Sequence, residues 1–310
     1  MASPLHESRD EAPTSSRLTL TDLARKVAEK GAAGVLEAGS RRTRRRLSRA
    51  IAAAVGTLPV DVLVAVMDET APVVRLDYER AEILLSVGSQ VDLFRATSCR
   101  KEPETIRWIE KYVTAGDVFY DVGANVGAYA LVAAAQAPGR VTCHAFEPSF
   151  ATYHQLCKNV LLNRVHDVVF PHLIALSDRN GTSVLNYHSV VAGTALHTVG
   201  ATVDFKGNEF EPAYRQRMLT FALDELVFGW GFDMPNHLKL DVDGTELDVL
   251  LGARRVLADD RLRSLLVEVS HHRGRTDAIR DILAQSGLEL ESEALPAPGV
   301  SNYLFVRGRR

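Results

Sequence analysis

The stretch VFYDVGANVGAYALVAAA, residues 118–135, constrains the fold more than any other part of the sequence. Its first residues are β-branched and aromatic, as is typical of a buried strand, and an alanine-rich run that favours a helix follows. Between them lie Asp121 and two glycines, Gly123 and Gly127. A strand, a tight glycine turn and a helix predict the opening of a nucleotide-binding α/β unit, in which glycine lets a ligand lie against the backbone.

The spacing of the glycines differs from that of a dinucleotide site. GxGxxG needs three glycines, whereas this turn reads Asp-x-Gly-x-x-x-Gly. The wider turn suits an amino-acid tail, because N–H groups at the start of a helix attract a carboxylate. S-adenosylmethionine carries such a tail, and close packing of strand on helix is the alternative. The turn residues that we assign to cofactor binding are Asp121, Gly123, Ala124, Asn125 and Gly127.

A second acidic residue, Glu147, ends the predicted strand RVTCHAFEP. It follows Asp121 by 147 − 121 = 26 positions, close to the strand-helix-strand spacing that brings an acid to a ribose. A carboxylate at this place can accept hydrogen bonds from both ribose hydroxyls. We therefore predict that Glu147 binds the ribose of the cofactor, and the alternative is a solvated charge at a strand end.

Several segments in series resemble the FkbM-type methyltransferases, a family of class I S-adenosylmethionine-dependent enzymes, many of which methylate hydroxyls. The resemblance covers roughly residues 97–306 and implies an α/β fold with a doubly wound, mostly parallel, seven-stranded Rossmann-like methyltransferase sheet. It also implies an O-methyltransferase that acts on a sugar, a glycolipid precursor or a specialised metabolite. The segments are DVGANVGAY (121–129), AFEP (145–148), ALSDRNG (175–181), LKLDVDGTELDVLLGA (238–253), KEPETIRWIE (101–110) and LLVEVS (265–270).

The resemblance implies one more cofactor contact, at Ser177 and Asp178, where members of the family place an acid against the adenine amino group. The predicted third strand, VVFPHLIAL (168–176), ends directly before them, and Asn180-Gly181 is a turn signal directly after. Aspartate favours turns because of its own hydrogen bonds. An ordinary turn residue at Asp178 is therefore an equal alternative.

Candidate catalytic residues follow two later strands, because ligands of open α/β sheets bind at the carboxyl ends of the strands. Asp241 ends the alternating strand HLKLDV and is our first choice for the group that orients the acceptor or removes its proton. His271 or His272, beyond the strand LLVEVS, is the second choice, and Glu268 would orient either. Helix capping by Asp241 with Asp243, and ordinary loop histidines, are the alternatives.

Asp241, Asp243 and Glu246 also form an oxygen-rich set of the kind that holds Mg²⁺. Divalent ions help some sugar methyltransferases by polarising neighbouring hydroxyls. Spacing alone does not establish a metal site, and Glu246 is predicted to face solvent on a helix. The sequence therefore assigns no metal ligand and leaves Mg²⁺ at Asp241 and Asp243 as an alternative.

The length of 310 residues allows one large domain with an extension. Residues 1–16 are polar and are predicted to be a disordered tail. Residues 17–96 would form a helical and hairpin extension that caps the site or mediates dimerisation. Residues 97–310 would form the methyltransferase domain, with an insertion at 188–219 that contacts the substrate.

Composition limits the partners. The net charge of −3 gives no general attraction to nucleic acid, although the basic run RRTRRRLSR (41–49) leaves a phosphate-rich partner as the alternative to a solvated helix or a homodimer contact. Three cysteines without CxxC suggest neither disulfides nor zinc. The sequence shows no export signal or membrane span, which predicts a cytoplasmic location. The resemblance implies a small hydroxylated molecule as the methyl acceptor. An N-methyltransferase and a non-catalytic assembly module are the competing functions.

Overall fold

The computed structural model describes residues 41–70, 72–195, 197–200, 202–203, 208–271 and 274–308. The chain divides into two compact units, Met1–Thr70 and Ala71–Arg310. Within the described part of the chain, no helix is long and apolar enough to cross a membrane. The predicted tail at residues 1–16 and the extension up to residue 40 lie outside the described residues.

The first unit contains two described helices, α1 (Arg41–Val55) and α2 (Val60–Glu69). The basic run of the sequence lies in α1. Pro59 directly precedes α2, where its fixed φ suits the start of a helix. Gly56 and Pro59 lie in the short segment that separates the two helices.

The second unit contains a large sheet, a smaller sheet, a hairpin and the helices between them. Its elements in chain order are β1 (Val73–Arg75), β2 (Leu84–Ser86), α3 (Gln90–Arg95), α4 (Ser98–Lys101), α5 (Pro103–Tyr112), β3 (Val118–Val122), α6 (Ala128–Gln136), β4 (Thr142–Phe146), α7 (Phe150–Leu162), β5 (Val169–His172), β6 (Ala175–Leu176), β7 (Gly181–Tyr187), β8 (Thr198–Val199), β9 (Tyr214–Phe221), α8 (Leu223–Phe228), β10 (His237–Leu240), α9 (Glu246–Leu251), α10 (Arg254–Ala258), β11 (Ser264–Ser270), α11 (Thr276–Gln285), β12 (Leu288–Ala297) and β13 (Val300–Arg307).

The large sheet has seven strands in the order β12-β13-β11-β10-β3-β4-β5. The five strands from β11 to β5 are parallel, and β13 and β12 complete the sheet in antiparallel pairs. The predicted seven-stranded, mostly parallel sheet is confirmed. Strand β3 lies between β4 and β10, so the strand order reverses beside it. Ligands of open α/β sheets bind at such a switch point, outside the carboxyl ends of the strands.

Both faces of the large sheet are buried, which confirms the doubly wound arrangement. On β3, Phe119 packs with Trp108 of α5 and with the alanine-rich helix α6. Tyr120 and Val122 point to the other face and pack with residues of α8 to α11. Burial on two sides explains why the central strands are almost continuously apolar.

The hairpin of β1 and β2 is antiparallel, as predicted. Two asparagines bind its backbone, Asn159 in α7 and Asn163 directly after that helix. The N–H of Leu84 donates to Asn163 Oδ1 and that of Ser86 to Asn159 Oδ1, each at 2.8 Å. The predicted extension of residues 17–96 included this hairpin, whereas the structure groups it with the sheet in the second unit.

The prediction of one strand at 168–176 is wrong, since two strands of different sheets occupy that stretch. Strand β5 is the edge of the large sheet, where Pro171 needs no N–H to donate. The chain then enters a four-stranded sheet of order β6-β9-β7-β8. Strand β9 takes up the last residues of the predicted insertion at 188–219 and pairs with β7 along its length. Part of that insertion is therefore regular structure.

Candidate active site

A cavity of about 300 Å³ lies at the switch point of the large sheet. This volume is at the lower end of the range for small-molecule sites. The chain segments that follow β3, β4 and β10 line it, together with the end of β11. Among the predicted site residues, those at the cavity are Gly123, Ala124, Asn125, Glu147, Asp241 and Glu268.

Gly123 has a positive φ of 82°, and a Cβ added there would lie 1.7 Å from the carbonyl oxygen of Asp241. The N–H groups of Gly123 and Ala124 both donate to the carbonyl of Phe146 at 3.0 Å. From the sequence, this glycine is expected to let a ligand lie against the backbone. The structure corrects that reason, because the carbonyl of Asp241, directly after the neighbouring strand β10, already excludes a side chain at this position.

Gly127, at φ 86°, directly precedes α6. A Cβ added there would lie 2.4 Å from Leu156 Cδ1 of α7. This glycine therefore permits close packing of two helices, and no cavity contact is needed to explain it.

The chain's own acceptors already bind several N–H groups of the turn. Asn125 N donates to Glu147 Oε2 at 3.0 Å, and Val126 N donates to Asn125 Oδ1 at 3.0 Å. Ala130 N, in the first turn of α6, donates to Asp121 Oδ2 at 3.1 Å. These groups thus have partners without the cofactor carboxylate that the sequence analysis placed against the turn.

Asp121 lies beneath the turn and is fully buried. Its Oδ1 atom has no hydrogen-bond partner among the described residues. Burial raises the pKa of Asp121 to about 6, although the charge of Lys239 acts in the opposite direction. Asp121 therefore supports the turn and helix α6 from below and does not itself line the cavity.

Glu147 joins the glycine turn to the start of α7. Its Oε2 atom accepts from Asn125 N and its Oε1 atom accepts from Ser149 N at 2.9 Å. Burial raises the pKa of this carboxyl to about 7, and the two N–H donors lower it in part. Each oxygen of an ionised carboxylate has a second lone pair. Glu147 can therefore accept further hydrogen bonds from a ligand in the cavity.

Asp241 is paired with Lys239, which the sequence analysis did not select. The two side chains point to the same face of the strand, and Lys239 Nζ lies 2.9 Å from Asp241 Oδ2. Burial disfavours the charged form of Asp241, but the ammonium outweighs burial and lowers its pKa. The charge of Asp241, followed by burial, raises the pKa of Glu268 to about 9. Lys239 thus favours the ionised form of Asp241, and the charge of Asp241 favours the protonated form of Glu268.

Residues 121–290 match the family model described as the methyltransferase FkbM domain, which spans the turn, Glu147, Asp241 and Glu268. The chain belongs to the FkbM methyltransferase family. The resemblance predicted from the sequence segments is thus confirmed, and the protein is a methyltransferase.

Two curated relatives of this FkbM-family chain are also methyltransferases. The chain is 30% identical over 225 residues to the hexuronic acid methyltransferase AglP of Haloferax volcanii, covering 73% of this chain and 84% of the relative. It is 29% identical over 216 residues to the 31-O-demethyl-FK506 methyltransferase FkbM of Streptomyces tacrolimicus, covering 63% and 81%. A crystal structure of methyltransferase FkbM from Methylobacillus flagellatus matches at 17% identity with a TM-score of 0.43, covering 69% of this chain and 52% of the other.

Three further predicted site residues of this FkbM methyltransferase are not among the residues that line the cavity. Ser177 Oγ donates to Asp178 Oδ1 at 3.2 Å, and Arg179 Nε lies 3.7 Å from the same oxygen. His271 directly follows β11, and its Nε2 atom lies 2.8 Å from Ser301 Oγ. The structure therefore does not bring Ser177, Asp178 and His271 together with Glu147 and Asp241, and His272 lies outside the described residues.

His197, between β7 and β9, lines the cavity and was missed. Both ring nitrogens are buried without a hydrogen-bond partner in the described part of the chain. The ring packs on Tyr187 with centroids 4.6 Å apart. Burial lowers the pKa of His197 to about 4, so the ring is neutral. A single histidine in an irregular stretch carries no motif that sequence reasoning could use.

Arg95 and Lys101 reach the cavity from short helices that precede the matched family region. Arg95 donates to the carbonyl of Gly193 from Nε at 2.9 Å and from a terminal nitrogen at 2.6 Å. Lys101 Nζ lies 2.9 Å from Glu102 Oε1. These two cations thus bind other parts of the cavity wall. Lys101 begins the resembling segment KEPETIRWIE, but neither cation was among the predicted site residues.

The prediction that Glu246 faces solvent is wrong. Its side chain is buried, and Oε1 accepts from Gly244 N at 2.8 Å, so the carboxylate closes the turn before α9. Asp241 Oδ2 is already paired with Lys239 Nζ. Within the described ranges, no group of three His, Cys, Asp or Glu residues is arranged to hold a metal ion. The Mg²⁺ alternative at Asp241 and Asp243 therefore has no support.

Proposed function

We propose that this protein is an S-adenosylmethionine-dependent O-methyltransferase that modifies a hydroxyl of a sugar, a glycolipid precursor or a specialised metabolite. The observation that carries the proposal is one cavity lined by the glycine turn, Glu147 and Asp241. The family membership supports methyl transfer. The relative that acts on 31-O-demethyl-FK506 supports oxygen as the acceptor atom.

The chemistry of the cavity fits the cofactor. Bound S-adenosylmethionine would supply a methyl group that is already activated on a sulfonium. Glu147 has the free acceptor capacity that ribose hydroxyls need. His197 offers two buried ring nitrogens without partners, and a nucleobase edge can provide such partners. The cavity lining carries more acidic than basic side chains, which favours a ligand with cationic groups.

The acceptor side would be formed by Asp241 and Glu268. The ionised Asp241 can accept the hydrogen bond of an acceptor hydroxyl and take up its proton, which contributes typically about 10²–10⁴-fold to the rate. The protonated Glu268 can donate a hydrogen bond to a second oxygen of the acceptor. Fixed orientation of the two reactants supplies about 7–11 kcal/mol more. His271 is a weaker candidate, because its ring is engaged with Ser301.

The proposal also includes the predicted binding partners of the protein and its location. The acceptor is a small hydroxylated molecule, with no nucleic acid required. A homodimer formed through the N-terminal helices and a cytoplasmic location stay predictions from the sequence.

Calorimetry and a transfer assay together test this function. We expect wild-type protein to bind S-adenosylmethionine and S-adenosylhomocysteine, and Glu147→Ala to bind each at least about tenfold more weakly. Glu79→Ala, which removes an exposed carboxylate that is not part of the cavity lining, serves as the control. Labelled methyl groups are then offered to panels of hydroxylated metabolites and of amines, and the product is identified by mass spectrometry and NMR.

A methyl ether with a Glu147-dependent cofactor affinity supports the proposal. Unchanged binding by Glu147→Ala contradicts the assigned ribose contact. A methylated nitrogen favours the N-methyltransferase alternative. Absence of cofactor binding, together with tight docking to a partner protein, favours the assembly module.

A further inference from the structure

Lys239 is a buried cation at the cavity to which the proposed reaction assigns no role. Its side chain is 1% exposed, yet it contributes to the cavity wall. Its Nζ lies 2.9 Å from Asp241 Oδ2 and 4.8 Å from the centroid of the Tyr129 ring. Burial of an ammonium is costly unless ion pairs and hydrogen bonds compensate it. Its surroundings therefore determine what the charge does.

Acids on two neighbouring strands face this lysine. Lys239 is the register partner of Asp121 across β10 and β3, and side chains at paired positions point to the same face of a sheet. Asp121 has one oxygen on Ala130 N and one without a hydrogen-bond partner in the described part of the chain. One ammonium thus lies between the acid beneath the glycine turn and the acid at the acceptor side.

Further titratable groups of the cavity influence this pair. The acids are Asp121, Glu102 and Glu268, and the cations are Lys101 and Arg95, which act on Asp241. Around the pair, these three acids outnumber the two cations. Without Lys239, several carboxyls would compete for protons in a confined space.

We infer that Lys239 is a positioning residue for methyl transfer: its buried ammonium keeps Asp241 ionised and fixes Oδ2, so that Oδ1 is presented to the acceptor hydroxyl. The inference rests on the proposed function, because it assigns the acceptor to the Asp241 side of the cavity. It also links the acceptor side to the cofactor turn, since the same ammonium faces Asp121.

A role for Lys239 as base or nucleophile does not fit its surroundings. Either role needs a neutral amine. Burial alone would lower the pKa of Lys239, but the charges of Asp241, Asp121 and Glu102 outweigh burial and raise it above the ordinary value. The lysine therefore stays protonated and acts through Asp241.

The test replaces Lys239 by a neutral side chain of similar length, Lys239→Met. The acid-base behaviour of Asp241 is followed by ¹³C NMR of labelled aspartate carboxyls in the ligand-free protein, with the signal assigned by Asp241→Asn. The affinity for S-adenosylhomocysteine is measured by calorimetry, and the pH profile of kcat is measured with the acceptor that the hydroxyl panel identifies. Lys111→Met, which breaks the exposed ion pair with Glu291, is the matched control.

We expect Lys239→Met to lower kcat by about 10²-fold and to leave the S-adenosylhomocysteine Kd within about threefold. The Asp241 NMR titration and the acid limb of kcat should both move to higher pH by at least about one unit. Lys111→Met should change none of these quantities. A lower kcat without movement of the acid limb, or an equal loss in Kd, overturns the inference and indicates a structural role.

A second variant and a measurement on wild-type protein test the inference if Lys239→Met does not fold. Lys239→Gln retains N–H donors without the charge and should show the same upward shifts. In wild-type protein, an Asp241 that takes up its proton at or above the ordinary aspartate pKa of about 3.9 overturns the inference without any lysine variant. Failure of wild-type protein to bind S-adenosylhomocysteine refutes the proposed function, whereas the NMR titration still decides the link between Lys239 and Asp241.

Discussion

The carbonyl oxygen of Asp241 occupies the space that a side chain on Gly123 would need, 1.7 Å from the position of its Cβ. The two segments are also joined by a hydrogen bond from Asp241 N to Val122 O at 3.0 Å. The turn assigned to the cofactor and the residue assigned to the acceptor are therefore in direct backbone contact. A change in one must displace the other.

Replacement of Gly123 tests this contact. We expect Gly123→Ala to lower the free energy of unfolding by more than about 3 kcal/mol, because the methyl group meets backbone and the φ of 82° is unfavourable for alanine. Chemical denaturation measures the change. Gly139→Ala is the matched control, since its φ is 70° but nothing lies within 4 Å of the added Cβ. A similar loss in both variants would mean that φ alone, and not the Asp241 carbonyl, requires the glycine.

Replacement of His197, in contrast, is expected to leave stability unchanged or to increase it. His197→Phe keeps a ring against Tyr187 and removes two buried nitrogens that lack partners. We expect the ligand-free protein to be as stable or more stable by about 1 kcal/mol. The affinity for S-adenosylhomocysteine should fall about tenfold, because a ligand that pairs with the ring loses its partner. Thermal unfolding and calorimetry measure the two effects.

His188 provides the control for that prediction. It also has a buried ring nitrogen without a partner in the described part of the chain. Its ring stacks on that of Phe210 with centroids 3.7 Å apart, but it does not line the cavity. His188→Phe should therefore leave the affinity unchanged. Equal losses of affinity in both variants would contradict a direct role for His197.

The sequence predicted the central sheet because its signals are local. The alternation in HLKLDV and the turn at Gly123 each lie within one strand-turn unit, and helices on both faces explain the apolar strands. Asp241 and Glu268 were found because strand ends of a parallel sheet meet at one edge. Lys239 escaped notice because a lysine that alternates with leucines is typical of an exposed face. Its burial depends on Asp121 and Asp241, whose arrangement only the tertiary fold provides.

The errors in the prediction have the same physical origin. The split of the stretch 168–176 depends on pairing with β9, which lies far along the chain. Glu246 was placed in solvent because helical periodicity cannot reveal that its carboxylate accepts from Gly244 N. His197 and Arg95 reach the cavity through pairing of the second sheet and through short helices that carry no family motif.

Asp178 and Glu147 were both predicted to contact the cofactor, but of the two only Glu147 lines the cavity. Asp178 is bound by Ser177 Oγ outside the cavity, whereas Glu147 lines it. We expect Asp178→Asn to change the S-adenosylhomocysteine Kd less than twofold, and Glu147→Gln to raise it at least about tenfold. Calorimetry on both variants makes the comparison. A large loss for Asp178→Asn would show that this loop closes onto the nucleobase when the ligand binds.

The buried carboxyls make the stability of the ligand-free protein depend on pH. The pKa values of Glu147 and Glu246 are raised to about 7, mainly by burial, and that of Glu268 to about 9, mainly by the charge of Asp241. A raised carboxyl pKa means that the folded state binds the proton more tightly than the unfolded state. Stability from these groups is therefore lost as pH rises through their folded-state pKa values. Burial lowers the pKa of His172 and of His237 to about 4. These histidines make the folded state more stable as pH rises, and their effect ends near pH 6.5, the ordinary histidine pKa.

Between pH 6.5 and pH 8.5, we therefore expect the free energy of unfolding to fall as pH rises. Glu147 and Glu246 contribute near pH 7, and Glu268 contributes across the window, with a slope of at most about 1.4 kcal/mol per pH unit for one proton. Urea denaturation at closely spaced pH values measures the slope. Glu268→Gln cannot release a proton and should flatten the upper half of the window, whereas Glu79→Gln should not. A free energy of unfolding that rises over this range would mean that Glu268 is ionised in the folded protein and cannot donate a hydrogen bond to an acceptor.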